Sequence, residues 1–149
     1  LIETVQAAFL PPGGPENYEA LRPELRFALP ILGGLALALV FAVLPERMRQ
    51  VGVIHVMERL AYHDGKLPLR NAVVQFFAAA TAIITGMPVG REGPAIHIGA
   101  AVGSASGERL GLPNNSLRIL AGCGVAAAIA ASFNTPLAGV AFAIEVVLM

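Results

Sequence analysis

The stretch NAVVQFFAAATAIITGMPVG, residues 71–90, contains no Asp, Glu, Lys or Arg. Two further stretches share this property, residues 27–45 and residues 119–144. A helix of about 20 apolar residues crosses the roughly 30 Å hydrocarbon core of a bilayer. The chain is 56% hydrophobic and only 13% charged, whereas soluble domains carry about 25% charged residues. The sequence therefore predicts an all-α polytopic membrane protein.

Prolines and glycines divide the apolar stretches into helices. Residues 1–24 are interpreted as a helix end followed by a loop, and residues 25–149 as transmembrane and half-spanning helices. The pattern predicts a first helix with Pro30 in its first turns, and the predicted helices cover about residues 25–44, 53–62, 69–85, 94–110, 117–132 and 136 onward. Several are shorter than a full span. Because broken helices at membrane depth are tolerated where their free backbone lines a cavity, the pattern indicates a transport site.

The break between the second and third apolar helices reads Gly90-Arg91-Glu92-Gly93-Pro94. Proline suits the first turn of a helix, since its fixed φ is helical and its missing N–H would have no partner there. Glycines leave the neighbouring N–H groups accessible. Such a helix start carries partial positive charge and attracts anions, and half-helix starts in transporters face anionic substrates.

Glu92 precedes this helix start, so its carboxylate can occupy the place of a permeating anion. Protonation or displacement of Glu92 would then open the path, and an intramembrane carboxylate is usually functional. The alternative is structural: Glu92 caps the helix, and the neighbouring Arg91 neutralises it.

Other polar and small residues are interpreted structurally. Asn134-Thr135-Pro136 has the composition of a helix cap. Four glycines spaced by four predict a close helix–helix contact, and they are Gly99, Gly103, Gly107 and Gly111. His97 is expected to be packed or hydrogen-bonded, and His55 and His63 lie in polar surroundings without a second ligand at metal spacing.

These patterns exclude several classes of function. No nucleophile-elbow pattern accompanies Ser104 and Ser106, so no enzyme is predicted. No metal or other cofactor is expected. The net charge is zero, which gives no electrostatic basis for binding nucleic acid.

Two motifs in fixed order carry a family resemblance. Gly90-Arg91-Glu92-Gly93-Pro94 is followed by Ile98-Gly99 and then by the block from Phe133 to Gly139, FNTPLAG, with Phe142 and Glu145 after it. In order and spacing, residues 52–149 resemble the CLC chloride channel and transporter family. The resemblance implies two inverted halves of broken helices around chloride, of which this chain is most of the first. The chain is therefore expected to be a fragment, a partial membrane domain without the second inverted half.

The resemblance also implies site residues and partners. The family's gating glutamate corresponds to Glu92, and Gly90, Arg91, Gly93 and Pro94 form the anion-binding loop around it. The expected partners are chloride or another small anion, the lipid bilayer and a second copy in a homodimer, whose interface the last helix resembles. The expected location is a bacterial-type plasma membrane, with a multi-pass topology.

Two departures from the family pattern affect the function. The first anion-binding loop of the family corresponds to Val51, Gly52, Val53 and Ile54, with Val51 where many members have an ion-binding serine. Val146 occupies the place of a second glutamate that often follows Glu145 in proton-coupled members. The resemblance thus implies channel-like or weakly proton-coupled anion transport. The alternatives are a Cl⁻/H⁺ exchanger and a truncated membrane scaffold that conducts nothing.

Overall fold

The computed structural model describes Tyr18 and residues 21–148, and every regular element in this part of the chain is helical. Most of the loop predicted before residue 25, and the helix end before it, lie outside the described residues. The helices are α1 Pro23–Val43, α2 Glu46–Arg49, α3 Val53–Tyr62, α4 Leu69–Ile84, α5 Glu92–Arg109, α6 Asn114–Phe133 and α7 Pro136–Phe142, and a π-helical turn covers Ala143–Leu148.

Two of these helices are long and apolar enough to cross a membrane. α1 has 21 residues with a mean hydropathy of 2.1, and α6 has 20 residues with a mean hydropathy of 1.7. α4 is apolar but has 16 residues, about 24 Å at 1.5 Å per residue. α5 has 18 residues and is less apolar, because charged residues occupy both of its ends. The prediction of helices shorter than a full span holds for α4.

Most helix boundaries agree with the prediction, and Pro30 is the main exception. α1 starts at Pro23 because Arg22 before it is extended (φ −56°, ψ 142°), the conformation favoured before proline. Pro30 therefore lies in the helix interior, where it removes one backbone hydrogen bond. The short helix α2, which the sequence pattern did not predict, follows Pro45.

The chain divides into two compact units, of which the first comprises residues 1–44 and 77–89. In this unit α1 exposes large apolar side chains, such as Phe27 at 75% and Val43 at 86%. Gly33 is buried, since a Cβ on it would overlap the side chain of Thr85. The Tyr18 hydroxyl lies 2.9 Å from the carbonyl oxygens of Ile83 and Ile84. Apart from this packing, the surface of α1 has the apolar character of a lipid-facing helix.

The second unit, residues 45–76 and 90–149, contains the hydrophobic core. α5 and α6 cross closely at its centre. A Cβ on Gly99 would overlap the carbonyl of Gly124, and a Cβ on Gly103 would overlap the carbonyl of Leu120. The predicted glycine contact is thus present. Around it lies a cluster of buried apolar residues: Val56, Leu60, Leu67, Ala72, Ile96, Ala100, Ala101, Ala121, Val125, Ile129, Ala143 and Val147.

Gly111 does not belong to this contact, contrary to the prediction. No atom lies within 4 Å of a Cβ built on it, and its φ is +65°. Its N–H donates to the Glu108 carbonyl at 3.0 Å, and the N–H of Leu112 donates to the Gly107 carbonyl at 3.1 Å. Gly111 therefore ends α5 in the left-handed conformation that glycine adopts without steric cost.

Gly99→Ala is expected to destabilise the protein, because the methyl group meets backbone atoms that cannot rotate away. Overpacking of this kind costs about 1–3 kcal/mol, and the thermal unfolding midpoint of the purified protein in detergent should fall. Gly93→Ala is the matched control in the same helix, since its Cβ meets nothing within 4 Å. An equal midpoint for the two variants would contradict the close crossing.

Candidate functional site

The start of α5 leaves its backbone N–H groups free. The N-cap residue is Arg91, and no side chain caps the helix. The N–H of Ala95 bonds back to the Arg91 carbonyl at 3.1 Å. Within the described residues, the N–H groups of Glu92 and Gly93 have no hydrogen-bond partner, and Pro94 has no N–H. This end therefore carries the partial positive charge of an unsatisfied helix start.

Glu92 is the first residue of α5, two positions before the predicted start at Pro94. Its carboxylate thus belongs to the first turn and not to the preceding loop. The side chain is half-buried, and Arg91 beside it is exposed. In the described part of the chain, Glu92 forms neither an ion pair with Arg91 nor a capping hydrogen bond. No contact therefore supports the structural alternative, a neutralised helix cap.

Gly90 determines where this carboxylate lies. A Cβ built on Gly90 would overlap Oε2 of Glu92, so the carboxylate folds back over the glycine. The φ of Gly90 is outside the left-handed range, and the glycine is needed here for space and not for backbone conformation. Gly93 on the other side of Glu92 has open space around its Cα. The two glycines therefore act differently: one makes room for the carboxylate and the other leaves the helix start accessible.

The loop before α3 contacts α5 through one hydrogen bond. Gly52 is the N-cap of α3 with a φ of 93°, a left-handed conformation that favours glycine. Its N–H donates to Nδ1 of His97 at 3.3 Å. His97 comes five residues after Glu92, about 7.5 Å further along the axis at about 1.5 Å per residue. The structure thus attaches the start of α3 to the second turn of α5.

The amides of this first loop are only partly available. The Gly52 N–H is occupied by His97, whereas the N–H groups of Val53 and Ile54 have no partner among the described residues. Ile54 is 81% exposed, and Val51 is half-buried. Since the backbone N–H of His55 also has no partner among the described residues, a ligand at this helix start would find three backbone donors and no hydroxyl group.

The interior position of two histidines was only partly predicted from the sequence. His97 is fully buried and hydrogen-bonded, as expected. His55 is buried as well, with 5% exposure, which the sequence did not indicate, and polar residues such as Arg47, Gln50 and Asn71 line the same cavity, as the prediction of polar surroundings requires. The rings meet edge to face with centroids 5.5 Å apart. Within the described residues, both nitrogens of His55 and Nε2 of His97 lack hydrogen-bond partners. The buried face of α3, which also contains Val56 and Leu60, is the signal that would have indicated a buried His55.

The start of α7 lies against α6 and is held by backbone contacts. Asn134 ends α6 in the left-handed conformation (φ 54°). Thr135 is the N-cap of α7, as its place before Pro136 predicted. Its side chain, however, makes no capping hydrogen bond. Gly139 is buried because a Cβ on it would overlap the Ala126 carbonyl. Val146, in the π-helical turn, is 39% exposed.

Ser104 connects two elements of the second unit. Its Oγ donates to the Gly65 carbonyl at 2.7 Å and accepts from the Leu67 N–H at 3.0 Å, so it joins the loop before α4 to α5. Ser106 bonds its own helix, at the Val102 carbonyl. No group of three or more His, Cys, Asp or Glu side chains suited to a metal ion occurs among the described residues.

Comparison with known proteins gives a consistent result. Residues 30–149 match the family model described as voltage gated chloride channel. A Ralstonia nicotianae protein named as ClcB-like is 32% identical over 126 residues, 82% of this chain and 29% of its own length. The voltage-gated ClC-type chloride channel ClcB of Escherichia coli is 32% identical over 128 residues, 85% of this chain and 30% of its own length.

A third relative is a transporter by name. The H⁺/Cl⁻ exchange transporter ClcA of Vibrio cholerae is 41% identical over 86 residues, 55% of this chain and 18% of its own length. The chain thus spans less than a third of the curated relatives it matches. No solved structure gives a significant match. The family match covers most of the chain and agrees with its apolar, all-helical architecture, and the chain therefore belongs to the voltage-gated chloride channel family of integral membrane proteins.

Proposed function

We propose that this chain supplies part of an anion pathway across a membrane, with Glu92 as its gate. The observation that carries the proposal is the half-buried Glu92 carboxylate, which has no partner in the described part of the chain and lies at an uncapped helix start. The family match supports chloride as the transported ion.

The gate follows from competition between two anions. The free N–H groups of Glu92 and Gly93, with the partial charge of α5, form an attractive position for one negative charge. When Glu92 is ionised, its own carboxylate competes with chloride for that position. Protonation removes the charge, and displacement of the side chain removes the obstacle. Either event admits the ion.

The loop before α3 contributes backbone donors only. Val53 and Ile54 offer N–H groups at the start of α3 but no hydroxyl, since Val51 replaces the serine of many family members. Backbone amides bind any small anion at a helix start. The pathway proposed here therefore depends on amides and helix dipoles, and selectivity for chloride over other small anions is expected to be modest.

The proposed assembly is a multi-pass homodimer in a bacterial plasma membrane, with this chain as one inverted half of each subunit. Exposed apolar side chains follow one face at the end of the chain, namely Leu137, Val140 and Ile144. Their spacing of three and four residues is that of a helix–helix contact face. This face supports the proposed dimer interface.

A proton-coupled exchanger is the second candidate, favoured by the 41% identity to the Vibrio cholerae relative named as an exchange transporter. Val146 favours the channel-like candidate, because it offers no carboxylate to carry a proton from the side opposite Glu92.

Glu92→Gln is expected to raise chloride efflux near neutral pH several-fold and to flatten its dependence on pH, because glutamine resembles the protonated acid and cannot ionise. Efflux from liposomes containing the full-length protein should be measured from about pH 4 to pH 8, which brackets the ordinary titration range of a carboxyl group.

Glu108→Gln is the matched control, since Glu108 lies near the other end of α5 and is exposed. It should leave efflux and its pH profile unchanged. Unchanged efflux in Glu92→Gln across the whole range would remove the gating role. Absence of any chloride efflux from the unmodified protein would favour the scaffold instead.

Gly90→Ala should also raise chloride efflux near neutral pH, because the methyl group displaces the Glu92 carboxylate. In a Glu92→Ala background the same change should have no further effect, since no carboxylate remains to be displaced. The four efflux rates form a double-mutant cycle. Equal effects of Gly90→Ala in both backgrounds would show that the glycine acts independently of Glu92.

An outward chloride gradient is expected to drive no uphill proton movement, because Val146 replaces the second carboxylate. Chloride and pH electrodes should be used together on the same liposomes, so that intact chloride efflux verifies active protein. Uphill proton movement with a fixed ratio to chloride would establish the exchanger and overturn the channel-like proposal.

A further inference from the structure

A cationic pocket lies in the second unit, apart from the start of α5. Its volume is about 560 Å³, and it is bounded by α2, α3 and the start of α4. Three arginines from these three elements line it, Arg47, Arg59 and Arg70. None of the described residues that line it is an Asp or Glu. Three arginines and no carboxylate are therefore among the described residues that line this cavity, although Arg59 and Arg70 also line a neighbouring cavity that includes Glu108.

The walls of this pocket are fixed by buried hydrogen bonds. Asn71 is 3% exposed, and its Nδ2 donates to the carbonyls of Arg47 at 2.9 Å and Gln50 at 2.8 Å. This amide holds the segment with Arg47 against the helix that carries Arg70. Nε of Arg59 donates to the Lys66 carbonyl at 2.8 Å, which orients the guanidinium through one of its five N–H donors.

Neutral donors complete the lining. His55, buried with unpartnered ring nitrogens in the described part of the chain, belongs to the pocket wall, and so does Gln50. The buried imidazole nitrogens carry hydrogen-bonding capacity that the described residues do not use. Charged and neutral donors thus lie around one cavity of a size typical of small-molecule sites.

The chemistry of this lining selects a class of ligand. Guanidinium presents its donors as a planar fork that matches two oxygens of an oxyanion in two parallel hydrogen bonds, whereas a halide ion offers a single acceptor atom. The repulsion among three arginines is relieved by a multiply charged anion. We propose that this pocket binds a phosphate group.

Two sources could supply that phosphate, an anionic lipid headgroup and free inorganic phosphate. Leu69 and Val73 are 42% and 54% exposed and lie four residues apart beside Arg70. An apolar wall next to a cationic pocket suits a lipid, and basic pockets between membrane helices bind anionic headgroups. The experiment separates the two sources. The proposal is independent of the gating role of Glu92, because the experiment measures binding of the phosphate group and not transport of chloride.

The test uses the full-length protein in two forms. Equilibrium binding of radiolabelled inorganic phosphate is measured in detergent. Retention of phosphatidylglycerol is measured by native mass spectrometry after extraction from vesicles of phosphatidylcholine and phosphatidylglycerol. The double variant with Arg47→Gln and Arg70→Gln should bind at least about tenfold more weakly to whichever probe the unmodified protein binds, because two charge-assisted hydrogen-bonding groups are lost.

Two further variants make the result specific. Arg109→Gln removes one exposed charge outside the pocket and should change binding less than twofold. Arg70→Lys retains the charge but loses the fork, and it should give an intermediate loss. Arg47 and Arg70 are exposed, so their replacement spares the core, and each single variant is measured if the double variant unfolds.

The outcomes decide both the proposal and the source. Loss confined to inorganic phosphate binding identifies a site for the free ion, and loss confined to phosphatidylglycerol retention identifies a lipid site. Failure of the unmodified protein to bind either probe would overturn the proposal. Equal weakening of binding by Arg109→Gln and by the pocket variants would overturn the proposal as well. Such a result would show that binding depends on the net charge of the protein and not on this pocket.

Discussion

The close backbone crossing of α5 and α6 is the constraint on which the second unit depends. Gly99, Gly103 and Gly124 allow the two helices to approach until only glycine fits between them. In lipid, where apolar side chains gain little by leaving their solvent, such contact between backbones is a main source of helix association. The crossing holds α5 as a rigid support, and a rigid support gives the first turn of α5 a fixed position. The small residues at this crossing therefore have a structural role even though they carry no chemistry.

A rigid α5 also holds two loops that are distant from it in sequence. The bond from the Gly52 N–H to His97 fixes the start of α3 beside the second turn of α5, and Ser104 fixes the loop before α4 two turns further on. Both α5 side chains are fully buried, so water does not compete for these bonds. Buried polar groups of this kind determine register more than stability. The loop that carries the candidate donors of α3 is thereby attached to the helix that carries Glu92.

The sequence predicted the helices well and the polar contacts poorly. Charge-free stretches and the positions of proline gave the start of α7 at Pro136 and the starts or ends of most other helices to within a few residues, and α3 was predicted at Val53–Tyr62, between Gly52 and Gly65. Proline is compatible with several positions of a first turn, so the pattern could not distinguish a start at Glu92 from one at Pro94. The short α2, the burial of His55 and the partners of Ser104 depend on tertiary contacts between segments distant in sequence, which periodicity does not encode. The left-handed glycine at the end of α5 was misassigned because its spacing matched the packing glycines.

The starts of α3 and α5 differ in the charge of the side chain that each has available as an acceptor. At α3 the occupant is the neutral acceptor His97, which satisfies one N–H without bringing a charge to the site. At α5 the N–H groups have no partner in the described part of the chain, and the first residue of the helix carries a carboxylate, a full negative charge at an end of partial positive charge. A neutral acceptor lowers the number of donors open to an anion, whereas a carboxylate also repels the anion electrostatically and can lose that effect by taking up one proton. Under the proposed function, control of the pathway therefore resides at Glu92, and the first loop sets affinity alone. The asymmetry arises from residue type and not from the backbone, because both starts lack a side-chain cap.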